Sequence, residues 1–183
     1  MTASRTALVE HLLAHSVKRG DFTLKSGKRS SWFIDAKQTT CRPQGMLLVA
    51  DAALEVIPEE ATAVGGLTMG ADAMAFSVAA IAATRGRMLR AFSVRKEEKD
   101  HGAGGRIAGA LEPGDKVVIT EDAVTRGVSM LEAAEVVRAV GAEPILLVPV
   151  VDRGGTVTAM AAEQGLAVRP LVTALDLGFA YEG

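Results

Sequence analysis

The chain has 183 residues, 49% of them apolar, a formal net charge of −2 and one cysteine, Cys41. That length suits one domain with a substantial core, and the apolar content excludes a disordered chain. The slight negative balance offers no global attraction to nucleic acid or an anionic membrane, so any anion site must be local, and a single cysteine excludes an internal disulfide.

In chain order, "SRTALVEHLLAHSVKRG" places Leu8, Val9, Leu12, Leu13 and Val17 on one face of a helix. Ser4 is the candidate N-cap and Gly20 the candidate stop. The first twenty residues carry Arg5, Glu10, Lys18 and Arg19 and no continuous apolar run of the secretory kind. "DFTLKSGKRSSWFID" predicts two short strands joined by a polar turn at Gly27, a hairpin. Pro43 suits the first turn of a helix through "QGMLLVADAALEVI".

Strands and helices then alternate. "ATAVGGL", "MLRAFSV", "KVVIT", "PILLVPVV" and "RPLVTAL" read as strands; "ADAMAFSVAAIAAT" and "SMLEAAEVVRAV" read as helices, the second closed by Gly141. The most apolar stretch, "AVGGLTMGADAMAFSVAAIAA", is broken by Asp72 and by glycines and reads as strand, loop and buried helix, not a membrane span. This alternation predicts an α/β domain with a parallel sheet between helical layers, in which ligands bind beyond the carboxyl ends of the strands. The expectation is one soluble, cytoplasmic domain over residues 1–183, without nucleic-acid or membrane partners.

Four segments at predicted strand ends carry chemistry. After "KVVIT" come Glu121 and Asp122, then "AVTRGVS" at the mouth of a helix. Free N–H groups at a helix start suit a phosphate, with Thr125 and Ser129 adding hydroxyls and Gly127 permitting close approach. Two carboxylates would repel a bare phosphate but accept hydrogen bonds from a vicinal diol. A ribose 5-phosphate has both features. The spacing alone leaves open whether Glu121 and Asp122 are solvated loop charges and Ser129 an ordinary cap. "RKEEKDHGAGGR", Arg95 to Arg106, cannot bury itself; it reads as a solvated loop or as a lid bringing cations to a polyanion. "VVDRGGT" sets Arg153 directly after a buried strand, where a guanidinium could grip a carboxylate or lie in solvent. "GGLTMGADAMA" exposes backbone amides through Gly65, Gly66 and Gly70, for a diphosphate or for close helix–sheet packing.

"VVITEDAVTRGVS" resembles the thirteen-residue signature of type I phosphoribosyltransferases, which bind 5-phosphoribosyl 1-diphosphate (PRPP). "RKEEKDHG" resembles the lid of the orotate phosphoribosyltransferases, R-K-x-x-K-x-H-G, and "FTLKSGKRSSWFID" resembles their orotate-binding segment. Glu121 stands where Asp is frequent, Arg126 and Val128 where small residues are, and Met69 near the place of a family lysine. The resemblance implies a mostly parallel sheet flanked by helices. It also implies a small N-terminal hood with a β-hairpin, formed by about residues 1–42 and the C-terminal end, and a mobile catalytic loop at 95–106.

The same resemblance implies transfer of phosphoribose from PRPP to orotate in pyrimidine biosynthesis, by a homodimer sharing its lids across subunits. Lys99 and His101 would be catalytic. PRPP would be held by Lys25, Arg95, Lys96, Lys99, His101, Glu121, Asp122, Ala123, Val124, Thr125, Arg126, Gly127, Val128 and Ser129. Orotate would be held by Lys25, Phe33, Ile34, Thr125 and Arg153. Mg2+ would ride on substrate oxygens and water, with no ligand directly from the protein. A phosphoribosyltransferase for another base, a non-catalytic PRPP-binding regulator and a simple phosphate-binding domain remain as rival readings.

Overall fold

The computed structural model describes residues 2–23, 27, 29–98 and 105–182. Helix α1 (Ala3–His15) buries Leu8 and Leu12. Its N-cap is Thr2, not Ser4, and the helix stops five residues before Gly20. The reason is tertiary. Val17 to Arg19 pair with Ile34, Phe33 and Trp32, so β1 (Val17–Thr23) and β2 (Arg29–Ile34) form an antiparallel hairpin longer than the predicted one. That pairing gives the backbone partners a continued helix would have supplied, and β-branched Val17 suits a strand.

A single turn, α2 (Lys37–Thr40), leads into α3 (Pro43–Leu54), with Pro43 in its first turn as the sequence predicts. There follow β3 (Ala63–Leu67), α4 (Asp72–Thr84), β4 (Arg90–Val94), β5 (Ile107–Gly109), β6 (Lys116–Val124), α5 (Val128–Ala139) and β7 (Glu143–Asp152). The chain closes with α6 (Val157–Ala162), β8 (Ala167–Val168) and β9 (Val172–Thr173). The α5 helix ends at Ala139, and Gly141 at φ 79° turns the chain into β7. The "RPLVTAL" strand shrinks to β9, and the short β5, α6 and β8 carry no periodic pattern that marks them in the sequence.

The main sheet runs β5-β4-β3-β6-β7-β8, with β9 also on β7. Every pair is parallel except β4 with β5. Alternate residues of β6 face opposite layers. Val118 joins Leu12, Val49, Met74 and Val78 beneath α1, α3 and α4. Val117 and Ile119 join Met130, Val137 and Val157 beneath α5 and α6. Both faces of the sheet are thus covered, which is why its central strands read as unbroken apolar runs. From β3 the chain passes to β4 on one side, while β6 lies on the other. This divergence opens a crevice at the strands' carboxyl ends.

Candidate active-site cleft

A cavity of ≈ 570 Å³ lies in that crevice, lined by Lys37, Leu67, Thr68, Met69, Gly70, Lys96, Glu121, Asp122, Ala123 and Ser129. Glu121 and Asp122 do not sit in a loop beyond the strand. β6 continues through them to Val124, because β7 is ten residues long and pairs with it as far as Asp152. Regular pairing holds the two carboxylates rigidly at the mouth of the sheet. Each residue is only 8% exposed.

Burial first, and the adjacent charge of Asp122 second, push the Glu121 carboxyl up to about 8. Lys37 donates to Asp122 Oδ2. Burial works against the Lys37 ammonium, but the hydrogen bond and charge of Asp122 outweigh it, and its pKa rises. Gly70 packs directly on the pair. A Cβ there would lie 1.5 Å from Glu121 Oε1 and 2.9 Å from Asp122 Oδ1. Gly65 and Gly66 serve close packing instead, since a Cβ at either would meet the backbone oxygens of Phe92 and Thr120. The Thr68–Met69 peptide is cis. The segment is tied down by Thr68, which donates to Asp72 Oδ2 at 2.6 Å, while Ser93 donates to Asp72 Oδ1 at 2.7 Å.

Beyond β6, Thr125 and Arg126 are exposed and Val124 is buried. Gly127 precedes α5 at φ 82°, and its carbonyl accepts from Met130 and Leu131. No side chain caps the helix, so Ser129 is not an ordinary cap. The N–H groups of Gly127, Val128 and Ser129 take no part in these first helical bonds and face the start of the helix, a suitable place for phosphate oxygens. A Cβ on Gly127 would meet Val157 Cγ2 at 2.5 Å, so glycine is required there for space as well as for φ.

Arg153 follows β7 as expected, yet it is buried. Its Nη2 donates to Ser30 Oγ at 3.1 Å and Trp32 O at 3.2 Å, and pairs with Glu182 Oε2. The guanidinium carbon lies 4.9 Å from the Trp32 ring centroid, and Trp32 stacks on Phe179 at 4.4 Å. The C-terminal segment therefore docks on the hairpin, with Glu182 N donating to Arg153 O. Ile34 is buried in the core, whereas Phe33 is half-exposed beside Phe22 at 5.8 Å. Of the two proposed base-lining residues, Phe33 offers the open face.

The described ends of the 95–106 segment are pinned together. Arg95 N donates to Arg106 O at 2.7 Å and Arg106 Nε to Arg95 O at 2.7 Å, while Arg106 also pairs with Glu132. The Arg95 side chain donates to the carbonyls of Gly105 and Ile107, and Lys96 reaches the cleft. Lys25, Lys99 and His101 lie outside the described residues. Sequence reasoning missed Lys37, Ser30 and Glu182. Each is distant in sequence from its partner, and only Lys37, next to a predicted strand end, left any local signal.

Among the described residues no group of three or more His, Cys, Asp or Glu side chains is placed to hold a metal ion, and no helix is long and apolar enough to cross a membrane. The two buried carboxylates are hard oxygen donors. They suit contact with the water shell of a magnesium ion that takes its ligands from substrate and water.

No protein-family model matches the chain. It is similar to the orotate phosphoribosyltransferase of Rhodopirellula baltica, 36% identical over 93% of this chain and 92% of that one. It is also similar to the Streptomyces coelicolor orotate phosphoribosyltransferase, 41% identical over 84% of this chain and 85% of the relative. Among solved structures, it matches Mycobacterium tuberculosis H37Rv orotate phosphoribosyltransferase in complex with 5-phospho-alpha-D-ribosyl 1-diphosphate. That match has a TM-score of 0.80 at 31% identity, covering 96% of this chain and 99% of that one.

Proposed function

The chain belongs to the orotate phosphoribosyltransferase family, and we propose that it performs the family's reaction through the cleft between β3 and β6. It joins orotate to PRPP, giving orotidine 5′-monophosphate and pyrophosphate in UMP biosynthesis. The observation that carries this assignment of the site is the juxtaposition, on one strand–helix unit, of a rigid carboxylate pair and an uncapped helix start.

The N–H groups from Gly127 to Ser129, with the Thr125 and Ser129 hydroxyls, hold the 5′-phosphate. Glu121 and Asp122 accept from the ribose hydroxyls. The diphosphate then points toward Gly70 and Lys96. Orotate lies against Phe33 and Thr125, its carboxylate pairing with Arg153 in place of Glu182. The bond from ribose C1 to the diphosphate oxygen breaks with its electron pair leaving on pyrophosphate. Orotate N1 supplies the pair that forms the new C1–N1 bond, and its N1 proton passes to water or to an oxygen of the departing pyrophosphate, so no dedicated side-chain base is needed. Lys99 and His101, with Arg95, Lys96 and Lys25, neutralise the charge that develops on the leaving group. Glu121 and Asp122 would lie beside a magnesium ion carried on substrate and water oxygens, which would supply further charge neutralisation there.

Residues 95–106 act as the closing loop. Residues 1–42 and the C-terminal end form the hood, the protein is a homodimer with lids shared between subunits, and it works in the cytoplasm. The docking of Phe179 and Glu182 on the hairpin supports the hood.

The test is orotate consumption followed by ultraviolet absorbance with PRPP and magnesium, beside purine bases and a Lys99→Ala variant. Consumption of orotate alone is expected, with turnover in the variant reduced at least about 100-fold and PRPP affinity within a few-fold. Equal use of a purine, or an unchanged turnover in the variant, would remove the corresponding assignment.

A further inference from the structure

One cation in the cleft has no part in the scheme above. Lys37 opens the α2 turn directly after β2, and its ammonium pairs with Asp122 at the floor of the cavity. The turn is firmly placed. Thr39 within it shares hydrogen bonds with Ser16 Oγ at 2.7 Å and His11 Nδ1 at 3.1 Å. Gly45 of α3 packs so closely that a Cβ would lie 2.0 Å from Thr39 O. The Lys37 side chain, paired with Asp122, remains 42% exposed and lines the cavity.

Charge sets what the cavity needs. The loop facing the carboxylates, Leu67 to Gly70, contributes no charged side chain. Glu121 and Asp122 contribute no positive charge. Arg95, assigned above to the leaving group, donates here to the carbonyls of Gly105 and Ile107 and does not line the cavity, and Arg106 is engaged by the Arg95 carbonyl and Glu132. Among the described residues lining the cavity, the cations are Lys37 and Lys96. A diphosphate brought against this acidic pair must meet compensating positive charge. Lys96 stands on the segment whose ends alone are described, whereas Lys37 stands on a pinned turn.

We propose that Lys37 is a substrate-binding residue for the diphosphate arm of PRPP, a pre-positioned ammonium anchored by Asp122 and shared between that carboxylate and the phosphate oxygens. The inference rests on the reading of this cleft as the phosphoribosyl site. Asp122 holds the ammonium within reach of the ligand and accepts from the ribose, so one side chain couples the two halves of the substrate. A lysine that merely neutralised Asp122 would show no preference for the diphosphate end.

Titration calorimetry with magnesium tests this on wild type, Lys37→Met and Lys37→Arg, using PRPP, pyrophosphate and ribose 5-phosphate as separate probes. Lys37→Met is expected to weaken PRPP and pyrophosphate at least about tenfold, to leave ribose 5-phosphate within about twofold, and to be largely rescued in Lys37→Arg. In steady-state kinetics the KM for PRPP rises while that for orotate stays. Pyrophosphate binding unchanged in Lys37→Met, or ribose 5-phosphate weakened as much as pyrophosphate, would overturn the proposal while leaving the cleft assignment intact. A wild-type protein that binds neither PRPP nor pyrophosphate would overturn both.

Discussion

Glu121→Gln tests whether the carboxylate pair is as strained electrostatically as its burial implies. Glu121 faces Asp122 on its own strand, Lys37 from α2, and the uncharged loop at Gly70, with Lys96 on the same cavity. Its carboxyl is pushed from 4.5 to about 8, by burial first and Asp122 second. The sign follows from linkage. The folded state keeps a proton that the unfolded chain releases near 4.5, so the contribution of Glu121 to stability is fully present below about 4.5, falls as pH rises, and levels off above about 8. The interval spans about 3.5 pH units, and at about 1.4 kcal/mol per unit the ionised pair costs on the order of 5 kcal/mol of stability. Glutamine matches the protonated acid in shape, and its oxygen can still accept from Asp122 N, as Glu121 Oε1 does at 3.2 Å. Urea unfolding of the ligand-free protein at several pH values between 5.5 and 8.5 measures the effect. The wild type is expected to lose several kcal/mol across that range that Glu121→Gln does not lose, with the variant the more stable at the alkaline end. Parallel stability curves would refute the reasoning, because they would mean that Glu121 ionises without penalty where it stands.

Two further outcomes follow from the geometry. Gly70→Ala places a methyl group where the Glu121 carboxylate lies. The end of a flexible side chain can give way, so unfolding free energy is expected to change by no more than about 1 kcal/mol. The displaced carboxylates should lower kcat/KM about 100-fold, and a normal kcat/KM would show that their position is not critical. Glu182→Gln removes the carboxylate paired with Arg153. With a partly buried ion pair worth about 1 kcal/mol no longer competing, the orotate KM is expected to fall about fivefold while the PRPP KM holds. A rise in the orotate KM would show instead that Glu182 orients Arg153 for the substrate.

The apolar runs of β3, β6 and β7 and the apolar stripe of α5 are legible in the chain because each is a local pattern. A strand buried on both faces must be apolar throughout, and a helix resting on it must be apolar on one side. The same locality made the acidic pair and the glycine before α5 readable as an anion and diol site. What the sequence left undecided involves partners far apart along the chain. Val17 to Arg19 extend the first helix by periodicity, and they become strand only because β2 is there to pair with them. Glu121 and Asp122 follow an apparent strand end, and they are held in the strand only because β7 runs alongside to Asp152. Arg153 has the context of an exposed loop residue, yet Trp32, Ser30 and Glu182 enclose it from segments about 30 to 120 residues away. Lys37 acquires its place in the cleft through Asp122, 85 positions later. The sequence by itself determined the layered α/β architecture and the chemical character of the site. Tertiary structure alone decided which charges meet, because backbone pairing and burial set those distances, and no periodicity along the chain encodes them.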